Sequence, residues 1–207
     1  MTGHYAQVAF TPLVREHQRV HGSLRSYERM AQVPAVADRI GPDEAWFIGE
    51  RDSFYLATVG ETGWPYIQHR GGAPGFLKVL DAHTLGFADF RGNKQYISRG
   101  NLDHDDRVSL FLMDYAAQSR MKIFGRARVV EAAEDPEILA SLVVDGYRAQ
   151  VERAVLIEVE AFDWNCRQHI PPLYPRAAVA EAMQVLRDRI AELEGEIARL
   201  RTDSVHD

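Results

Sequence analysis

The chain has 207 residues, 46% of them apolar and 26% charged, enough for one well-buried core and ordinary for a globular protein. A net charge of −6 and a pI near 5.8 argue against a nucleic-acid binder, which carries a basic footprint. The single cysteine, Cys166, excludes an intrachain disulfide framework and a cysteine-cluster metal site.

Residues 1–50 read as a helical and irregular segment. Residues 23–40 are helix-forming with a break at Pro34, and Gly41-Pro42-Asp43-Glu44 opens a short helix with proline and acids in its first turn. The texture changes to strands at Ser53. Residues 53–59 are β-prone, Gly60-Glu61-Thr62-Gly63 is a turn signal, and residues 64–70 form the return strand. Further strands are expected at 76–80, 84–90, 107–115, 121–131 and 151–162. Helices are expected at 94–102 and from Asp135-Pro136 to about Gln150. In the last strand Val155, Ile157 and Val159 alternate with Glu158 and Glu160, which implies one buried face and one wet one. Roughly seven strands with short connections favour an antiparallel barrel or sandwich over a doubly wound sheet.

No stretch approaches the roughly 20 apolar residues that cross a bilayer. Residues 1–10 lack the charged-then-apolar pattern of a secretory leader. The expected location is the cytoplasm, without a membrane or nucleic-acid partner.

Chemistry concentrates between Arg70 and Arg99. Five basic residues (Arg70, Lys78, Arg91, Lys94, Arg99) face two acids (Asp81, Asp89), a net +3 inside a −6 chain. Such a patch asks for an anion. Arg70 lies at a strand end beside Gly71 and Gly72, which let another group approach the backbone. Lys94 follows Gly92-Asn93 at an expected helix start, where free N–H groups favour phosphate. A guanidinium fork, an ammonium and a helix end make a phosphomonoester cradle. From charge alone, solvated strand ends are an equal reading.

Arg70, Leu77-Lys78, Gly86-Phe87-Ala88-Asp89-Phe90 and Asn93-Lys94-Gln95 together resemble the flavin-binding core of the pyridoxamine 5′-phosphate oxidase-like family. The match resembles most a bacterial branch of flavin-nucleotide-binding proteins, which also shares the run from Glu50 to Val59 and Phe162-Asp163-Trp164-Asn165-Cys166. The resemblance covers about residues 45–170. It implies a mainly β, FMN-binding split β-barrel over residues 51–172 with peripheral helices, and a homodimer with FMN at its interface. It implies further that Arg70, Asn93 and Lys94, with the neighbouring Gln95, hold the FMN phosphate. Gln68, His69 and Gly71 would edge the isoalloxazine, with backbone of Ala88 and Asp89 close by. Trp164 and Gln168 would come from the second subunit, although Trp164 also reads as plain core. Lys78 could meet an anionic small-molecule substrate.

The implied activity is an FMN-dependent oxidoreductase. The alternatives are a flavin carrier without turnover, or a barrel holding a deazaflavin or haem. The oxidases proper hold pyridoxal phosphate with an Arg-x-His element near a C-terminal strand. Here that region reads Cys166-Arg167-Gln168-His169-Ile170-Pro171-Pro172 and runs on into a helix, a departure that argues against vitamin B6 oxidation. No metal site is expected: His17 and His21 are four apart but have no third ligand near them. His69 and His169 read as lining at most, and Cys166 as a small core residue.

Residues 177–201 form a different segment. Val179, Met183, Leu186, Ile190, Leu193, Ile197 and Leu200 alternate steps of four and three. This heptad seam predicts a C-terminal coiled coil that ties a dimer together. The competing reading is a helix that packs its stripe on its own barrel.

Overall fold

The computed structural model describes residues 3–32, 36–164 and 168–203. The N-terminal segment folds as α1 (Gly3–Ala9), α2 (Pro12–Val20), α3 (Leu24–Ala31) and α4 (Pro42–Gly49). The expected break at Pro34 lies outside the described residues. Pro42 occupies the first turn of α4, where its missing N–H costs nothing. Glu44 Oε2 accepts a hydrogen bond from the Gly41 N–H at 3.1 Å, satisfying one of the donors a helix start leaves open.

Seven strands follow: β1 (Ser53–Val59), β2 (Pro65–Gly71), β3 (Lys78–Val79), β4 (Thr84–Phe90), β5 (Arg107–Asp114), β6 (Ser119–Glu131) and β7 (Val151–Trp164). They form one sheet in the order β2-β1-β5-β6-β7-β4-β3, with every neighbouring pair antiparallel. In β1 the period of two sends Phe54, Leu56 and Thr58 inward. Leu110 and Leu112 of β5, Met121 and Ile123 of β6, and Ile157 and Val159 of β7 meet them in one core.

The sheet curls on itself. β1 and β4 are separated by three strands, yet Phe54 and Phe87 meet edge to face at 5.3 Å between ring centroids. Phe76 stacks on Phe54 at 5.6 Å. The edge strand β2 reaches β4 through an Arg70–Asp89 ion pair at 2.5 Å. The architecture is a mainly β split barrel with peripheral helices, ending in a separate long helix, α7 (Arg176–Asp203).

Two helices differ from expectation. α5 (Ile97–His104) starts three residues later than the sequence suggests, because Lys94 and Tyr96 have positive φ angles of 61° and 54°. α6 (Pro136–Leu142) stops well short of Gln150. Val143 is extended and Asp145-Gly146 makes a turn with Gly146 at φ 77°, so β-branching and glycine end the helix. The strand expected at 76–80 forms a ladder of only two residues.

In β7 the expected alternation holds at Ile157, Glu158 and Val159. It fails at Ala154 and Leu156, which are buried on the outer face with Leu142 of α6. α6 therefore covers the outside of the barrel where β4 and β7 pair. Among the described residues, no helix is long and apolar enough to cross a membrane.

Phe54 is the ring on which both ends of the curled sheet meet. Phe54→Ala should cost about 3–5 kcal/mol of unfolding free energy, measured by urea denaturation. A loss below about 1 kcal/mol would show that the two ends of the sheet do not depend on this contact.

Candidate functional site

The ends of β2 and β4, the loop between β4 and α5, the first turn of α5 and the start of β7 enclose one cleft. Gln68 and Arg70 stand on the same side of β2, and Asp89 closes the far wall from β4. Arg70 and Asp89 are 16% and 13% exposed, so little water competes for their bond. Asp89 takes Nη1 of Arg70. Nε of the same guanidinium is buried without a hydrogen-bond partner. A buried N–H that lacks an acceptor is costly, and a site for an anion is one way such a group persists.

Side-chain bonds hold the walls in place. Ser98, buried in the first turn of α5, donates to Gln68 Oε1 at 2.7 Å. Asn101 of α5 donates to the buried Thr58 hydroxyl of β1 at 2.9 Å. These two bonds fix the helix across one end of the barrel.

The loop is unusual in its backbone. Lys94 and Tyr96 both lie in the left-handed region, which costs an L-residue about 1–2 kcal/mol. Asn93 Oδ1 accepts from the Gln95 N–H at 3.2 Å, an Asx turn that steadies the reversal. Strain of this kind gathers where a loop must present groups to a ligand. Lys94 is exposed, and no described residue makes an ion pair with it.

Opposite the loop, a bulge interrupts the pairing of β4 with β7. Asp89 faces Arg153 and Phe90 faces Val151, so Glu152 is the extra residue. Its carboxylate accepts from Arg91 Nε at 2.9 Å and from Arg153 Nη2 at 3.1 Å. The Arg153 guanidinium also lies over the Tyr96 ring at 5.3 Å. The cleft wall thus holds Arg70, Lys94, Arg99 and Arg153 against Asp89 and Glu152, an excess of cations in an acidic chain.

Of the residues singled out from the sequence, Gln68, Arg70, Asp89, Asn93, Lys94 and Gln95 line this cleft. His69, Gly71 and Ala88 line the adjoining cavity, which shares Gln68, Arg70 and Asp89 with it. His69 is on the opposite face of β2 from Arg70, with its ring 5.7 Å from that of Tyr55. Lys94 is not at a helix start, as the sequence suggests; Ile97, Ser98 and Arg99 bring the first turn of α5 to the cleft instead.

Three expected residues are elsewhere. Lys78 Nζ donates to the Ser141 and Val143 carbonyls at 2.7 and 3.1 Å, closing the C-terminal end of α6. Trp164 is at the opposite end of the 14-residue β7 from Arg153, about 35 Å along the strand. Its Nε1 donates to Glu44 Oε1 at 3.1 Å, and its ring meets Phe47 edge-on at 4.7 Å. Gln168 is exposed in the turn that follows. Within one chain, then, neither Trp164 nor Gln168 reaches the cleft. Cys166 and Arg167 lie outside the described residues.

Arg167-Gln168-His169 does carry the Arg-x-His spacing. The sequence of this region therefore does not lack that element. His17 and His21 stack at 6.5 Å. Among the described residues, no three His, Cys, Asp or Glu side chains converge as a metal site.

The residues that sequence reasoning overlooks are Glu152, Arg153, Tyr96 and Ser98. A charged Glu-Arg pair directly before the apolar run Ala154–Ile157 was the available signal for the first two.

Glycine in an ordered position usually destabilises by about 0.5–1 kcal/mol relative to alanine. At Lys94, with φ 61°, the order should reverse. Lys94→Gly is expected to be about 1 kcal/mol more stable than Lys94→Ala in urea denaturation. An alanine variant at least as stable as the glycine one would mean the loop relaxes out of this conformation.

The family model described as pyridoxamine 5′-phosphate oxidase matches residues 43–194 of the chain. No curated protein matches it. Among solved structures, a putative pyridoxamine 5′-phosphate oxidase of Lactobacillus delbrueckii is similar at 19% identity. That likeness covers 60% of this chain and 93% of the other with a TM-score of 0.46. A Clostridium acetobutylicum protein related to general stress protein 26 is similar at 13% identity, over 66% and 94% of the two chains, with a TM-score of 0.47. The heme storage protein HutZ of Vibrio cholerae is similar at 17% identity, over 60% and 94%, with a TM-score of 0.38. With the family match spanning the barrel and the cleft, the chain belongs to the pyridoxamine 5′-phosphate oxidase family.

Proposed function

We propose that this protein binds FMN in the cleft and acts as an FMN-dependent oxidoreductase on a small molecule, as a homodimer. The observation that carries the reading is the Arg70 guanidinium: Asp89 fixes it through Nη1 while its buried Nε has no acceptor. A phosphate drawn against the guanidinium would supply that acceptor once a small turn of the Arg70 side chain opens Nε to the cleft. Lys94 and Asn93 stand on the same wall and would hold the remaining phosphate oxygens, with the first turn of α5 adding N–H donors. Gln68, whose amide Ser98 orients, would meet the ring edge together with Gly71 and the backbone of Ala88 and Asp89. Trp164 and Gln168 would serve the site of the other copy. When bound, the isoalloxazine supplies hydride or single-electron transfer; the protein's part is to bind it, orient it and limit water.

A flavin carrier without turnover is the second reading. It is favoured by the cleft's inventory: its lining is rich in cations, amides and hydroxyls that suit binding. The two readings part on one observation. FMN-loaded protein that bleaches with reduced nicotinamide and recovers its colour in air is an enzyme; protein that holds its colour through both is a carrier. Parallel titration with haem and with a deazaflavin nucleotide checks the choice of cofactor.

Arg70→Ala and Lys94→Ala should each weaken FMN by about 1.5–3 kcal/mol, roughly tenfold to a hundredfold in Kd, because each removes a charge-assisted bond to phosphate. Riboflavin, which lacks the phosphate, should bind Lys94→Ala nearly as it binds the parent; Arg70→Ala also breaks the pair with Asp89, and should weaken riboflavin less than it weakens FMN. Fluorescence titration compares the two ligands. Equal losses for both would place the phosphate elsewhere.

A further inference from the structure

α7 shares nothing with the barrel core: every side chain described between Arg176 and Arg201 is exposed. Its 28 residues span about 42 Å. Gly195, in the second half of the helix, costs about 1 kcal/mol of helix propensity, and no tertiary packing offsets it within one chain. The apolar seam read from the sequence therefore runs uncovered along the whole helix, and the possibility that it packs on its own barrel does not describe this structure.

We propose that the seam is covered by the same helix of a second copy, in a parallel two-stranded coiled coil. Three features select this occupant. The first is the identity of the seam residues. Met183, Ile190 and Ile197 take the a positions, and Val179, Leu186, Leu193 and Leu200 take d. Isoleucine at a with leucine at d fits a parallel pair, because β-branched side chains pack at a and leucines at d in that geometry.

The second feature is charge. Arg189 and Glu196 fall at g, and Glu194 and Arg201 at e. In a parallel pair in register, Arg189 of each helix meets Glu194 of the other, and Glu196 meets Arg201, so each of these contacts joins opposite signs. In the single chain Arg189 turns to Glu192 within its own helix at 2.5 Å. Both groups are exposed, so this bond exchanges at little cost.

The third feature is the rest of the surface. Asp188 and Gly195 fall at the outward f position, and Glu192 and Arg199 at c, so the charge surrounds the seam without interrupting it. Val185, also at c, is the one large apolar residue in this stretch that points away from it; the others there, Ala191 and Ala198 at b, are small. The pairing does not depend on the cofactor reading and stands or falls without it.

Cysteine cross-linking tests the pairing on the full-length protein in a Cys166→Ser background. A parallel helix in register sets residue 193 of one copy directly against residue 193 of the other. Leu193→Cys should give a disulfide-linked dimer, for most of the protein, on mild oxidation. Val185→Cys, on the outward side, should remain monomeric on the same non-reducing gel. Far-UV circular dichroism of both variants checks that the barrel is folded; the substitutions lie on an exposed helix and should leave it unchanged. A folded Leu193→Cys protein that stays monomeric overturns the proposal, whether the helix pairs antiparallel or docks elsewhere. Equal cross-linking at both positions overturns it too, since random collision then accounts for the dimer.

Discussion

The Arg70–Asp89 ion pair is the contact on which the site's geometry depends. It joins the edge strand β2 to β4, which the sheet order places far apart, and it lies at the mouth of the curled sheet. Both groups are mostly removed from water. Removing one partner of such a pair strands the other as an uncompensated buried charge, at about 3–5 kcal/mol. The pair therefore has two consequences. It holds the split of the barrel at a fixed width, and it aims a guanidinium whose Nε has nothing else to bind.

Everything around the pair acts to keep it rigid. The Phe54, Phe76 and Phe87 rings fill the barrel beneath it, and the Arg70 guanidinium lies over Phe87 at 5.7 Å. α5 is pinned by Asn101 to β1 and by Ser98 to β2. The bulge at Glu152 turns a strand residue into a clamp on Arg91 and Arg153. The strained loop at Lys94 and Tyr96 is then carried by a frame that cannot easily relax, as a pre-organised anion cradle requires.

The strands were the most legible part of the chain. β1 and β4 fall at residues 53–59 and 84–90, where β-prone runs bounded by turn residues place them. Helix ends were less legible: α5 starts late because two non-glycine residues take left-handed backbone, which no propensity reveals. The site divides in the same way. Gln68 to Gly71 and Ala88 to Gln95 sit within one short stretch, so local patterning locates them. Arg153 and Glu152 reach the cleft only through the β4–β7 register, a pairing more than 60 residues apart in sequence that no local pattern encodes. Lys78 shows the reverse error. It looked like part of the basic patch, but its ammonium is engaged on the carbonyls of α6.

Phosphorus NMR of the FMN-loaded protein examines the cradle most directly. Free FMN is a phosphomonoester whose second ionisation falls near pH 6, so its resonance moves as the pH rises from about 5 to 8. Held by Arg70 and Lys94, the bound phosphate should stay a dianion, and its resonance should hold still across that range. A bound resonance that titrates like free FMN would contradict the account, because it would place the phosphate in solvent rather than against the guanidinium that Asp89 positions.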